Sequence, residues 1–281
     1  MKELHYFSND ESALFAVLLE SKLEVPKSTI ILLHGGGPDH KSLIRLGEEL
    51  THEYRVILPD LRGYGRSICR DKTCYTWSQY SEDLISLIDH IDASSVILIG
   101  AGIGTTISLK AALNCPNRIH GLILISIEDI EDDAGKELEV KLLESFSAPF
   151  KSHGIEAAWA PLLSNLSPVI GDMIRDAIPR SDSASIAAAA SIVYDRAFLG
   201  LGELKNITIP TLIIPGDDHR HPAVLAESIA KLLVNGHLAQ VPLSNNIKTI
   251  NDFSDAFALP IKNFLTHYEK INITNNKSWK H

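Results

Sequence analysis

Val96-Ile97-Leu98-Ile99-Gly100-Ala101-Gly102-Ile103-Gly104-Thr105-Thr106 is the stretch on which the fold turns. Its first four residues are bulky and apolar and stop at a glycine, which marks residues 95–100 as a strand buried on both faces. Residues 103–112 read as a helix that follows with no intervening loop. Outward from this junction, short β-branched runs alternate with longer amphipathic segments. Strands are expected at 14–19, 29–33, 55–58, 121–125, 211–214 and 237–241, and helices at 42–54, 76–91, 222–233 and 252–267. That alternation is the pattern of βαβ units feeding a mostly parallel sheet, so the fold class is α/β. Between 126 and 204 the pattern changes to helices alone, including the alanine-rich stretch 184–190. The expected organisation is a core of 1–126 and 205–281 with a helical cap, 127–204, inserted in one block. The polar segment 270–281 is expected to fray.

Composition narrows the function. The chain has 281 residues, 45% of them hydrophobic, enough for one domain with a sizeable core. A formal net charge of −9 offers no basic field for a phosphate backbone or an anionic lipid surface, so neither nucleic acid nor membrane is an expected partner. Three cysteines, Cys69, Cys74 and Cys115, have no metal-ligand spacing and fit a reducing, cytoplasmic compartment better than a disulfide framework. The first ten residues are polar and carry no apolar leader, and no run is long enough for a membrane span.

Three glycine-rich turns follow predicted strands: His34-Gly35-Gly36-Gly37-Pro38, Asp60-Leu61-Arg62-Gly63-Tyr64-Gly65-Arg66-Ser67, and the Gly100-x-Gly102-x-Gly104 junction. In this order and spacing they resemble the α/β-hydrolase superfamily over nearly the whole chain. The resemblance implies an eight-stranded, mostly parallel sheet flanked by helices, with an inserted helical cap. A dinucleotide fingerprint would lie at the first strand instead, with an acidic residue about 20 positions on, so no nucleotide or other cofactor is expected.

In that superfamily the junction reads Gly-x-Ser-x-Gly, with the serine as nucleophile. Here the nucleophile position falls on Gly102, which has no side chain to attack with. The resemblance places the acid of a triad in the turn Gly216-Asp217-Asp218-His219-Arg220-His221, where Asp218 is the best match; it could equally cap the following helix. His221 and His219 stand close to it as candidates for a chemical role. The histidine of a triad belongs after the last strand, where Pro242-Leu243-Ser244-Asn245-Asn246-Ile247 has none. His237 begins that strand and would point to the wrong end of the sheet. What the resemblance preserves is backbone: N–H groups of the Gly36 or Gly37 turn and of Ile103 would converge on a carbonyl oxygen or carboxylate. Thr105 and Thr106 are expected to satisfy backbone groups. The acidic run from Glu128 to Asp133 is read as a solvated helix start, with Glu128 or Asp129 pointing into the pocket as the sharper alternative. Trp77, Trp159 and Tyr194 belong either to the cavity wall or to the core.

Two functions follow. One is a pseudoenzyme or binding protein for a small carbonyl or carboxylate ligand; at the glycine junction the chain resembles the N-myc downstream-regulated group, which lost the serine. It leaves room for a protein partner or a homo-oligomer. The other is a hydrolase or lyase in which Asp218, His221 or a cap carboxylate activates water against a polarised carbonyl.

Overall fold

The computed structural model describes residues 1–128, 133–147, 154–163, 166–218 and 220–277. Eight strands form one sheet: β1 (Lys2–Phe7), β2 (Ala13–Leu19), β3 (Thr29–Leu33), β4 (Arg55–Asp60), β5 (Val96–Ala101), β6 (Ile119–Ile125), β7 (Thr211–Ile214) and β8 (Gly236–Leu238). Their order is β1-β2-β4-β3-β5-β6-β7-β8, with β2 antiparallel to both β1 and β4 and the remaining pairs parallel. Alternate side chains of β5 enter opposite layers. Val96 and Leu98 pack toward α2 (Trp77–His90) and α3 (Ile103–Asn114), where Leu84, Leu87 and Ile107 meet them. Ile97 and Ile99 face α1 (Lys41–Leu50) and the last helix, which supply Leu46, Phe253 and Phe257. Each such side chain is almost wholly removed from water, a gain of about 1.5–3 kcal/mol apiece. Two-sided burial explains why the central strands are continuous apolar runs.

Helices α4 (Asp133–Ser147), α5 (Gly154–Leu163), α6 (Pro168–Ala177) and α7 (Ser183–Ala189) come between β6 and β7 in the chain. The later part of this helical insertion is tied to the sheet-bearing core. Arg180 forms a forked pair with buried Asp39 at 2.7 and 3.1 Å. The Cys69 N–H donates to Ser185 Oγ at 2.8 Å, and the Trp77 N–H donates to Asp195 Oδ2 at 2.8 Å.

The remaining helices are α8 (Ala223–Leu232) and α9 (Ile250–Lys277). Several elements differ from the sequence expectation, among them these four. Lys2–Phe7, read only as polar, forms β1, because Leu4 and Tyr6 alternate inward against β2. Helix α1 stops at Leu50, where the Thr51 hydroxyl and N–H both turn back to the Glu48 carbonyl. Strand β8 ends at Leu238 rather than 241. Helix α9 continues through 270 to Lys277, so the segment expected to fray is helical over most of its length.

Candidate active site

Strand β5 ends at Ala101 and α3 begins at Ile103, so Gly102 alone makes the turn, at φ +50° and ψ −123°. A left-handed φ of this kind costs glycine little and other residues more. The space above it is open: a Cβ on Gly102 would meet only the Gly35 Cα at 3.5 Å and Glu128 Oε1 at 3.9 Å. Its flanking glycines differ. A Cβ on Gly100 would collide with the Gly104 carbonyl, and one on Gly104 with the Leu33 carbonyl at 2.5 Å. Thr105 closes the turn by donating through N–H (2.8 Å) and Oγ1 (2.7 Å) to the Gly102 carbonyl, so its hydroxyl is engaged by backbone. Thr106 is buried in the same helical turn.

The turn after β3 is held by His34. Its Nε2 accepts the Leu61 N–H at 3.0 Å and its Nδ1 donates to the Gly35 carbonyl at 2.7 Å, which joins this turn to the one after β4. Burial holds the imidazole pKa below its ordinary value, consistent with that neutral pairing. Gly36 faces Tyr64 and Ile103. Gly37, at φ +105°, lies under the insertion against Trp159 and Ile174. Ile103 is the first residue of α3, so its N–H has no intrahelical acceptor.

A cavity of about 480 Å³ opens on this junction, with Gly36, Gly102 and Ile103 in its wall. Trp77 and Trp159 also line it, whereas Tyr194 is largely exposed and donates to Glu144 at 2.8 Å. The loops after β6 and β7 supply its polar end. Glu128 stands beside the open space over Gly102; burial raises its carboxyl pKa, and nearby Arg220 and His221 only partly oppose this. Residues 129–132 of the acidic run, and His219, lie outside the described residues.

Asp218 and His221 are brought together. The Asp218 Oδ1 accepts His221 Nδ1 at 2.8 Å and the backbone N–H groups of Arg220 and His221 at 2.9 and 3.0 Å. Burial alone would raise the Asp218 pKa, but these donors hold it below the ordinary carboxylate value. The helix that follows takes no side-chain cap from Asp218, because its N-cap is Pro222. Asp218 instead shapes the turn and fixes the His221 ring, leaving Nε2 as the acceptor nitrogen of the neutral tautomer. Arg220 spans the mouth, 2.9 Å from Glu139 of α4 and 3.9 Å from Glu128.

Where a triad histidine was sought, Leu243 lines the cavity, and Asn245 and Asn246 are exposed. His237 sits in β8 against Phe264, with ring centroids 5.9 Å apart. Among the described residues, the group with metal-ligand spacing is Asp39, His40 and Asp60. Its donors are already engaged: Asp39 by Arg180, and Asp60 by His40 at 2.7 Å and the Arg66 N–H at 2.8 Å.

The sequence expectation favoured a solvated Glu128 and did not single out Tyr64 or Arg220. A usable signal existed, since each lies just past the C-terminal end of a parallel-sheet strand, where open α/β sheets bind ligands.

The family model for the alpha/beta hydrolase fold matches residues 28–241. An epoxide hydrolase of Caballeronia sordidicola is 41% identical over 75 residues, 26% of this chain and 23% of its own length. The magnesium-chelatase 30 kDa subunit of Rhodobacter capsulatus is 26% identical over 223 residues, covering 75% of this chain and 78% of that one. The chain spans about half the length of the first curated relatives it matches, 44% and 53%. Among solved structures, an esterase from Thermogutta terrifontis superposes with a TM-score of 0.76 at 20% identity, covering 95% of this chain and 99% of that chain.

Proposed function

The chain belongs to the alpha/beta hydrolase family, and on that premise we propose that it acts on a small carbonyl compound without a serine nucleophile. The reading is of a hydrolase or lyase whose proton transfers are carried by Glu128 and by the Asp218–His221 pair. One observation carries it: Glu128 Oε1 lies 3.9 Å from the point a side-chain carbon at Gly102 would occupy, so an acid–base group faces the place where a nucleophile would stand. The N–H groups of Gly36 and Ile103 would receive the carbonyl oxygen and stabilise the charge that develops on it, as an oxyanion hole does. His221, oriented through Nδ1 by Asp218, would take a proton from water at Nε2. Glu128, whose pKa burial has raised, would return a proton to the departing oxygen.

The test is turnover of neutral esters and lactones in the presence of a fluorophosphonate. The expected result is turnover that the probe leaves untouched and that falls by about 100-fold in Glu128→Gln. Turnover that survives Glu128→Gln, or that is abolished with covalent labelling of the turn, overturns the proposal. A second reading, a binding protein with no chemistry, is favoured by the turn 242–247, which holds no histidine and gives Leu243 to the cavity wall. It predicts binding of the same compounds with no turnover at all.

A further inference from the structure

Tyr64 projects from the turn after β4 into the cavity and is 9% exposed. Its ring stands edge-on to His34, with centroids 5.5 Å apart at 82°. Its hydroxyl lies 3.6 Å from where a Cβ on Gly36 would be, beside the N–H groups already assigned to the carbonyl oxygen. Of the other tyrosines of this core layer, Tyr75 donates to the Cys69 carbonyl at 2.5 Å and Tyr80 to the Arg62 carbonyl at 3.1 Å, while Tyr6 lines a separate small pocket away from the cavity. Among the described residues, no group takes or gives a hydrogen bond at the Tyr64 hydroxyl. A hydroxyl that opens on the cavity with no protein partner is left to pair with what enters the cavity, water or ligand.

Resting on the carbonyl site proposed above, we infer that the Tyr64 hydroxyl is a side-chain donor to the ligand oxygen, and that the site selects a neutral carbonyl over a carboxylate. Burial, reinforced by the charge of Glu128 and opposed by Arg220, pushes the Tyr64 phenol well above its ordinary value, so it keeps its proton throughout the working range. Donors therefore stand on the Gly36 side of the site and a carboxyl group on the Gly102 side. A ketone, ester or lactone oxygen satisfies the donors and brings no charge toward Glu128. A carboxylate brings a negative charge into a poorly solvated space, where its own desolvation and the ionisation of Glu128 each make the other costlier. The rest of the wall suits an apolar body, with Leu142, Leu143, Phe146, Leu162 and Met173 facing the cavity.

The experiment titrates the full chain with two probes of nearly equal shape, cyclohexyl methyl ketone and cyclohexanecarboxylate, at pH 8. The ketone carries ¹³C at the carbonyl. Wild type is expected to bind the ketone more tightly and to move its carbonyl resonance downfield. Tyr64→Phe is expected to weaken the ketone about tenfold and to return the resonance toward its free position, a change that a merely reshaped wall would not cause. Glu128→Gln is expected to tighten the carboxylate relative to the ketone. Wild-type affinity and an unmoved resonance in Tyr64→Phe overturn the donor role while leaving the Glu128 reading intact. Preference of the wild type for the carboxylate overturns the selectivity. Loss of ester turnover in Glu128→Gln, measured separately, tells failure of this inference from failure of the proposal on which it rests.

Discussion

The turn at Gly102 and the loop ends carrying Glu128, Asp218 and His221 face each other across one cavity, and they are built in opposite ways. The Gly102 turn is backbone: two glycines that allow strand and helix to touch, a left-handed residue between them, and an N–H at the start of α3 with no intrahelical acceptor. The loops after β6 and β7 are side chain: a half-buried carboxyl with a raised pKa and a carboxylate–imidazole pair with a 2.8 Å hydrogen bond. The first region is indifferent to side-chain identity at position 102, because it is made of peptide groups. The second depends on three individual side chains. One fold thus sets a backbone turn and a group of ionisable side chains on neighbouring strand ends.

The contrast is broken most severely at Gly104. Gly104→Ala puts a methyl group into the Leu33 carbonyl and is expected to cost about 3 kcal/mol in urea unfolding. Gly102→Ser, two residues away, should cost only about 1–2 kcal/mol for its left-handed φ. It should yield no fast turnover of an activated ester, because the turn 242–247, where a base is expected, holds no histidine. Rapid acylation of that serine would mean that His221 already serves it.

Acid and base titration separates the two loop carboxyls. The folded-state pKa of Glu128 is raised, so ionising it opposes folding: the penalty is absent below its ordinary value of 4.5 and grows as pH climbs past it. Glu128→Gln is expected to match wild-type Tm at pH 4 and exceed it at pH 8. Asp218 is depressed, so its contribution is present above its ordinary value of 3.8 and is lost as pH falls through the folded value. Asp218→Asn should therefore lower Tm at pH 7, by on the order of 1 kcal/mol of stability, with the difference closing in acid. Identical pH profiles for the two variants would contradict the opposite environments assigned to these groups. The smallest effect is expected at Arg70, whose 2.7 Å pair with Asp182 joins the insertion to the core in full view of solvent. Arg70→Ala should leave the urea unfolding midpoint indistinguishable from wild type.

By itself the sequence determined most of the sheet, the run of helices between β6 and β7, and the glycine at position 102. These are carried by local pattern: β-branched runs ending at glycines, helical spacing after them, and the identity of one residue between Gly100 and Gly104. Strand β1 was within reach too, since the alternation of Leu4 and Tyr6 is local, but six residues with charged neighbours gave it little weight. The direction of Glu128 was decided only by tertiary structure. A glutamate opening an acidic run looks solvated in sequence, and it became a half-buried acid facing the cavity only because β6 ends beside β5 and brings its loop over Gly102. Tyr64 was settled the same way: its turn is pinned by His34 reaching across from β3 to Leu61, a contact between residues 27 positions apart. Burial and electrostatic coupling depend on which loops share one end of the sheet, and strand order, not local spacing, sets that.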